Sequence, residues 1–147
     1  MSELPTPEQI RDTMPFAVLL GVELLEASSA IVRGRLEWAP ERCTAGGLLH
    51  GGALMALADS CGGVCAFLNL PEGSIGTATI ESKTNFMRAV RDGAVVASTR
   101  PLHKGRTLIV LESELAREDG TLVGKVTPTQ AFHYPRTQGA ARGRSVA

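Results

Sequence analysis

The sequence lacks most features that mark nucleic-acid binders and secreted scaffolds. Its 15 basic and 15 acidic residues give a formal net charge of zero, so no general positive field attracts a polyanion. Aromatic residues make up only 4% of the chain, too few for surfaces on which bases stack. Three cysteines, an odd number, form no disulfide framework, and Met1 to Pro7 carry no basic segment of a signal peptide. We therefore expect a cytoplasmic protein without a nucleic-acid partner.

What is present fits one globular domain. The chain has 147 residues, of which 44% are hydrophobic, enough to bury a core. We expect the domain to span residues 1–134. Residues 135–147 contain three arginines, no acidic side chain and many small residues, so they are predicted to form a disordered tail.

The longest apolar run extends over residues 50–70, where Asp59 is the single formally charged side chain. A run of this length raises the possibility of a membrane span. Four glycines interrupt it, a carboxylate lies at its centre, and no cluster of Lys or Arg flanks it. We therefore predict a helix over residues 51–68 that is buried in protein, and no membrane partner.

Alternating apolar residues and turn signals define the other elements. We predict a short helix at 6–13 and strands at 22–27, 30–38, 75–86, 94–102, 107–115 and 122–132. Asp92-Gly93, Lys104-Gly105 and Asp119-Gly120 separate the later strands as tight hairpin turns, so consecutive strands are antiparallel. Pro128 within the last strand indicates an edge strand or a bulge. The predicted fold class is α+β, with an antiparallel sheet of five to six strands curled around one central helix.

A single curved sheet covers only part of such a helix. The rest of its apolar surface needs another cover, which a second copy of the chain would supply. We therefore expect a homodimer or a dimer of dimers, that is, a homotetramer.

The start of this helix carries the chemistry. Gly51 and Gly52 leave backbone N–H groups unobstructed at the positive end of the helix dipole, where they can hold an oxyanion. Asp59 follows about two and a half turns later. A carboxylate among apolar neighbours must be hydrogen-bonded, paired or functional, so both a catalytic and a structural role are open.

The triplet His50-Gly51-Gly52, with Asp59 nine residues after the histidine, resembles the hotdog-fold acyl-CoA thioesterases, specifically the phenylacetate-pathway (PaaI-like) type. The segments 85–89 and 103–106 resemble the strand-end and turn segments of that family. The resemblance covers residues 21–132, and the order of elements agrees with the hotdog fold.

The resemblance implies roles for individual residues. Gly51 would donate its N–H to the thioester carbonyl oxygen, and Gly52 would lie beside it. His50 would shape this site and help to polarise the carbonyl. Asp59 would act as general base or nucleophile, on a thioester held across the dimer interface. Thr44 stands where the family often has Asn or Gln.

Further substrate contacts follow from the same resemblance. Thr79, or its neighbour Thr77 on the same strand face, would supply the hydroxyl that orients water. Arg88, Lys104 and Arg106 would contact the phosphates of coenzyme A, although charges in turns are often simply solvated. No cofactor or metal is expected, because coenzyme A is part of the substrate and a thioester needs only a base and an oxyanion site.

The predicted function is hydrolysis of acyl-CoA thioesters to a free acid and coenzyme A, with an aryl-acetyl, aromatic or medium-chain acyl group. A hotdog enoyl-CoA hydratase or dehydratase is the nearest competing hypothesis, but no second catalytic group is placed for it. Two hypotheses from different classes are a non-catalytic acyl-CoA-binding protein and a dimer with a purely structural role.

Overall fold

A computed structural model describes residues 4–136, so the predicted tail lies outside the described residues except for its first two. The helices are α1 (Pro7–Asp12), α2 (Pro15–Leu20) and α3 (Gly51–Phe67). The strands are β1 (Glu23–Ala27), β2 (Val32–Glu37), β3 (Gly76–Phe86), β4 (Ala94–Lys104), β5 (Leu108–Arg117) and β6 (Leu122–His133). They form one antiparallel sheet in the order β1-β2-β4-β5-β6-β3. The predicted class and strand number are confirmed.

The sheet wraps around α3, which contacts every strand. Apolar side chains of α3 such as Leu57, Cys61 and Cys65 are fully buried against it. The approach is closest at Gly34 on β2, where an added Cβ would lie 2.5 Å from Cys61 Sγ. A residue with a side chain would therefore push the strand away from the helix.

One side of α3 is left uncovered. Gly52, Met55 and Asp59 are exposed along it at helical spacing, with Gly63 half-buried in line, and we call this row the open stripe. Beside it runs β3, which pairs with β6 along one edge only within residues 4–136. The sequence predicted that part of α3 needs to be covered by something other than its own sheet, and the open stripe is that part.

Two local features differ from the predictions. The apolar helix α2 was not predicted, because its N-cap, Met14, offers no side-chain hydrogen bond; Pro15 and a left-handed Gly21 mark its two ends instead. Pro128 does not lie in an edge strand, since β6 is flanked by β5 and β3. The bulge, the other possibility, lies near it on the paired strand β3, where the register shifts between Thr79 and Glu81. By contrast, α1 begins at the predicted cap, where Thr6 and Gln9 form a capping box.

The helix that resembled a membrane span ends after 17 residues. Among residues 4–136, no helix has both the length and the apolar character needed to cross a bilayer.

The two thiols on the buried side of α3 are held in their neutral form. Burial raises the pKa of Cys61 to about 12 and that of Cys65 to about 11. Each pKa lies above the unfolded value of about 8.5. The folded state therefore keeps protons that the unfolded chain releases, and the free energy of unfolding falls as the pH rises above that value.

We expect a thiol reagent near pH 8 to label at most Cys43, which is half-buried, until the protein is unfolded. The free energy of unfolding should also fall by up to about 1.4 kcal/mol per pH unit and thiol between pH 9 and 11. Urea titrations across this range measure that slope, and a Cys61→Ala/Cys65→Ala variant is the control in which it flattens. Labelling of all three thiols in the folded protein would contradict the prediction.

Candidate active site

The first turn of α3 leaves one backbone donor free. His50 is the N-cap residue, and its Nδ1 accepts the N–H of Gly52 at 2.8 Å. The neutral imidazole therefore carries its proton on Nε2. The Gly51 N–H donates to no acceptor within residues 4–136. Gly52 is thus already engaged, and Gly51 is the donor that remains available at the positive end of the helix.

Gly51 opens into a shallow cavity of about 350 Å³ that Thr44, Phe86 and Arg88 also line. An added Cβ at Gly51 would lie 3.0 Å from the Phe86 ring, so the ring packs directly over the helix start. The Arg88 guanidinium donates to the Leu122 carbonyl at 2.8 Å, which holds this cation at the cavity. The structure therefore brings together three of the residues predicted to contact the substrate, namely Thr44, Gly51 and Arg88.

Asp59 lies on the open stripe and is hydrogen-bonded to β3. The Thr79 hydroxyl donates to Asp59 Oδ1 at 2.7 Å. The expectation that apolar neighbours surround this carboxylate is wrong for a single chain, because Leu57, Ala58 and Cys61 point to the other side of α3 and Asp59 is exposed. Its position does not carry the desolvation cost that a buried carboxylate would.

Sequence reasoning missed one residue of this cluster, Gln130 on β6. Its side-chain amide donates to Thr79 Oγ1 at 2.6 Å and accepts from Thr77 Oγ1 at 3.2 Å. Gln130 is only 1% exposed. The alternation of residues along the strand could have found it, since Gln130 lies on the same inward face as the buried Val126 and Phe132.

The cations predicted to bind coenzyme A do not form one cluster. Lys104 Nζ lies 3.4 Å from Oδ1 of Asn69, just beyond the end of α3, and Arg106 lies in the adjacent β4–β5 turn. Arg88 lies at the opposite end of α3, a helix about 25 Å long. Within a single chain Arg88 is therefore separated from Lys104 and Arg106, and the contact of these three cations with the phosphates of coenzyme A stays a prediction.

A second, larger cavity of about 610 Å³ lies between α1 and the second half of α3. Ile10 and Met14 form one wall, and Gly63 and Phe67 form the other. Thr77 also lines it, so the cavity adjoins the hydrogen bonds that end on Asp59. Gly63, the part of the α3 wall that comes first in the chain, lies one helical turn after Asp59.

Gly51 and Asp59 are far apart on their helix. Asp59 comes eight positions after Gly51, which corresponds to about 12 Å along the axis. A thioester whose oxygen lies about 3 Å from one group has its carbon only about 1.2 Å further on. The Gly51 amide and the Asp59 carboxylate of one chain therefore do not reach the same thioester.

Comparison with known proteins identifies the family. A family model of the thioesterase superfamily matches residues 46–124, more than half of the chain. The chain belongs to this superfamily, which confirms the resemblance inferred from the His50-Gly51-Gly52 triplet and Asp59. Membership also supports the predicted class of enzyme, a thioester hydrolase.

Individual relatives support this membership of the thioesterase superfamily. Thioesterase PA1618 of Pseudomonas aeruginosa is 38% identical over 74 residues, 50% of this chain and 51% of that protein. In the structural comparison with a variant of PA1618, the TM-score is 0.82 and the identity 27%, covering 89% of this chain and 96% of that one. The 1,4-dihydroxy-2-naphthoyl-CoA hydrolase of Escherichia coli is 40% identical over 76 residues, 52% of this chain and 55% of that protein. The chain thus spans about half the length of these two relatives in the sequence matches.

A third comparison concerns the fold alone. A variant of the phenylacetic acid degradation protein PaaI from Thermus thermophilus superposes with a TM-score of 0.73 at 24% identity, covering 81% of this chain and 98% of that one. The predicted hotdog fold is confirmed, whereas the phenylacetate-pathway subtype stays a prediction.

Proposed function

We propose that the protein hydrolyses acyl-CoA thioesters to a free acid and coenzyme A. The observation that carries the proposal is the pair of groups that α3 presents: an unengaged backbone donor at Gly51 and a carboxylate at Asp59 that a hydroxyl holds in place. The E. coli relative is named as a hydrolase of a CoA thioester, which agrees with this substrate class.

In the proposed reaction, the Gly51 N–H binds the carbonyl oxygen of the thioester. Asp59 removes a proton from water as the water oxygen attacks the carbonyl carbon. The Gly51 N–H then stabilises the negative charge on the tetrahedral intermediate. When the C–S bond breaks, the leaving thiolate takes the proton from Asp59. Direct attack by the Asp59 carboxylate on the carbonyl carbon is the second route: the C–S bond breaks, the thiolate leaves and a mixed anhydride with Asp59 forms, which water then hydrolyses. Solvent oxygen enters Asp59 when that water attacks the Asp59 carbonyl, and it enters the product acid when the water attacks the acyl carbonyl.

The separation of Gly51 from Asp59 implies that two chains build each site. Two copies of α3 that meet antiparallel along the open stripe would place Gly51 of one chain beside Asp59 of the other, with Met55 near the two-fold axis. Met55 is 39% exposed, and the free edge of β3 beside it carries exposed Ile80 and Phe86. Such an apolar row in a single chain favours burial against a second copy.

The 610 Å³ cavity is the proposed seat of the acyl group. Its apolar walls favour aryl-acetyl, aromatic or medium-chain acyl groups, and its volume falls within the range of about 300–1,000 Å³ typical of ligand pockets. Arg88 at the Gly51 cavity is the proposed phosphate contact on that side, whereas Lys104 and Arg106 would serve phosphates only at the far end of the helix.

We further propose that the enzyme works in the cytoplasm, where its cysteines stay reduced, as a dimer or a dimer of dimers.

Replacing Asp59 tests the base. Asp59→Asn keeps the size of the side chain and an oxygen that can accept from Thr79, so folding should be unchanged. The value of kcat on acyl-CoA should fall about a hundredfold or more. Glu81→Gln, which neutralises an exposed carboxylate on β3, is the matched control and should keep the parent rate. A folded Asp59→Asn protein with the parent kcat would rule out this role.

Enlarging Gly63 tests the acyl cavity. A Cβ added at Gly63 meets no atom within 4 Å, so a larger side chain fits the helix and extends into the cavity. Gly63→Leu should lower kcat/KM for octanoyl-CoA and phenylacetyl-CoA about tenfold or more, with little change for acetyl-CoA. Gly63→Ala is the matched control and should have a smaller effect. An equal loss for all three thioesters in a variant that keeps the parent's assembly by light scattering would place the acyl group elsewhere.

Mixing two inactive variants tests the shared site. Gly51→Pro removes the oxyanion donor at the first helical position, and His50 already has φ −66° and ψ 134°, which suit the residue before proline. The Phe86 ring must shift slightly to admit the proline, since a Cβ at position 51 lies 3.0 Å from it. Unfolding and refolding it together with Asp59→Asn should restore about a quarter of the parent activity, because half the dimers then hold one intact site.

Activity should stay absent when each variant is refolded alone, and light scattering should show a dimer or tetramer. No recovery in a mixture that does form mixed dimers would mean that each site is built within one chain.

A further inference from the structure

Three polar side chains connect the interior of the sheet to Asp59. Thr77 donates to the Gln130 amide oxygen at 3.2 Å, the Gln130 amide nitrogen donates to Thr79 Oγ1 at 2.6 Å, and Thr79 donates to Asp59 Oδ1 at 2.7 Å. We call these three residues the relay. Thr77 and Thr79 lie on β3, and Gln130 lies opposite them on β6.

The direction of each hydrogen bond in the relay is fixed. A threonine hydroxyl has one proton to donate, whereas an amide nitrogen only donates. Because Gln130 Nε2 already donates to Thr79 Oγ1, the single proton of Thr79 is free for Asp59. The carboxylate oxygen lies in hydrogen-bond range to accept it.

The Asp59 carboxylate, which only accepts, fixes the orientation of the Gln130 amide through Thr79, and Thr77 then donates to the amide oxygen. In the reverse orientation, the amide oxygen would take the proton of Thr79, and Thr79 Oγ1 would face Asp59 Oδ1 at 2.7 Å as two acceptors. That contact is repulsive while Asp59 is ionised. Gln130 is 1% exposed, so bulk water does not compete for its amide.

We propose that Gln130 is a positioning residue for Asp59, acting through Thr79. The relay commits Oδ1 of the carboxylate to the Thr79 hydroxyl and leaves Oδ2 to meet the attacking water. An exposed carboxylate on a helix otherwise samples several rotamers, and only some of them would point at a thioester held by a second chain. This inference rests on the proposed hydrolysis.

Gln130→Met tests the relay because it keeps the length of the side chain and removes the amide. Without the amide, Thr79 can rotate away from Asp59, so kcat should fall about fivefold or more while KM stays within about twofold. Ser113→Ala is the matched control, since it removes another buried hydrogen bond of the sheet, between Ser113 and Thr99 at 2.6 Å. It should lower the melting temperature but leave kcat unchanged.

The remaining variants separate positioning from stability. Thr79→Val should lower kcat at least as much as Gln130→Met, and Thr79→Ser should restore it because the hydroxyl returns. In the double variant Gln130→Met/Thr79→Val, kcat should equal that of Thr79→Val alone, since Gln130 acts only through Thr79.

Two kinetic results would overturn the inference. One is a folded Gln130→Met protein with the parent kcat. The other is a double variant whose loss is the product of the two single losses. Should Gln130→Met not fold, Gln130→Leu takes its place, because it also removes the amide that donates to Thr79; a parent kcat would again overturn the inference.

A measurement without substrate keeps this inference separate from the proposed function. In proton–nitrogen NMR spectra, the Gln130 side-chain amide should exchange slowly with water in the parent and about tenfold faster or more in Thr79→Val, and it should be unchanged in Ser113→Ala. If the parent hydrolyses no acyl-CoA, the proposed function fails while this result still decides whether the relay exists. Equal exchange in parent and Thr79→Val would overturn it.

Discussion

The burial of α3 is the constraint on which the rest of the structure depends. A helix of 17 residues with one charged side chain must remove apolar surface from water on nearly every side, and each buried aliphatic side chain contributes about 1.5–3 kcal/mol. Six antiparallel strands wrap around it, and Gly34 lets β2 approach to within contact of Cys61. The sheet covers every side except the open stripe, and the candidate chemistry lies at the start of α3 and along this uncovered side.

The same helix provides both kinds of group that hydrolysis of a thioester needs. Its first turn has a free amide at Gly51 because a helix start leaves backbone donors without partners, and His50 engages the next amide, that of Gly52. In a single chain its open stripe carries Asp59 at little desolvation cost because the sheet does not cover it. Since about 12 Å of helix separates Gly51 from Asp59, the fold that supplies both groups also keeps them apart, and the proposed site needs a second copy of the chain.

Besides covering the helix, the sheet supplies polar side chains that are hydrogen-bonded to Asp59. Its inward face near Asp59 is polar instead of apolar, with Thr77, Thr79 and the buried Gln130 linked by hydrogen bonds that end on the carboxylate. Buried polar groups are tolerated when every one is satisfied, and here the linkage also gives each bond a direction. The apolar cavity adjoins this polar cluster at Thr77 and begins one helical turn after Asp59, at Gly63.

Local patterns in the sequence determined the elements apart from α2, the sheet's antiparallel character and the family: the capping box at Thr6, the Asp-Gly turns, and the spacing of His50-Gly51-Gly52 from Asp59. These signals depend on neighbours in the chain, so they can be read without the fold. Which strand flanks β6, and thus where Pro128 lies, depends on pairing between distant segments, and so do the exposure of Asp59 and the separation of Arg88 from Lys104. Gln130 shows most clearly what the sequence does not decide. The alternation of inward and outward residues along β6 places its amide inside the sheet. Only the packing of β6 against β3 and α3 decides which groups that amide binds.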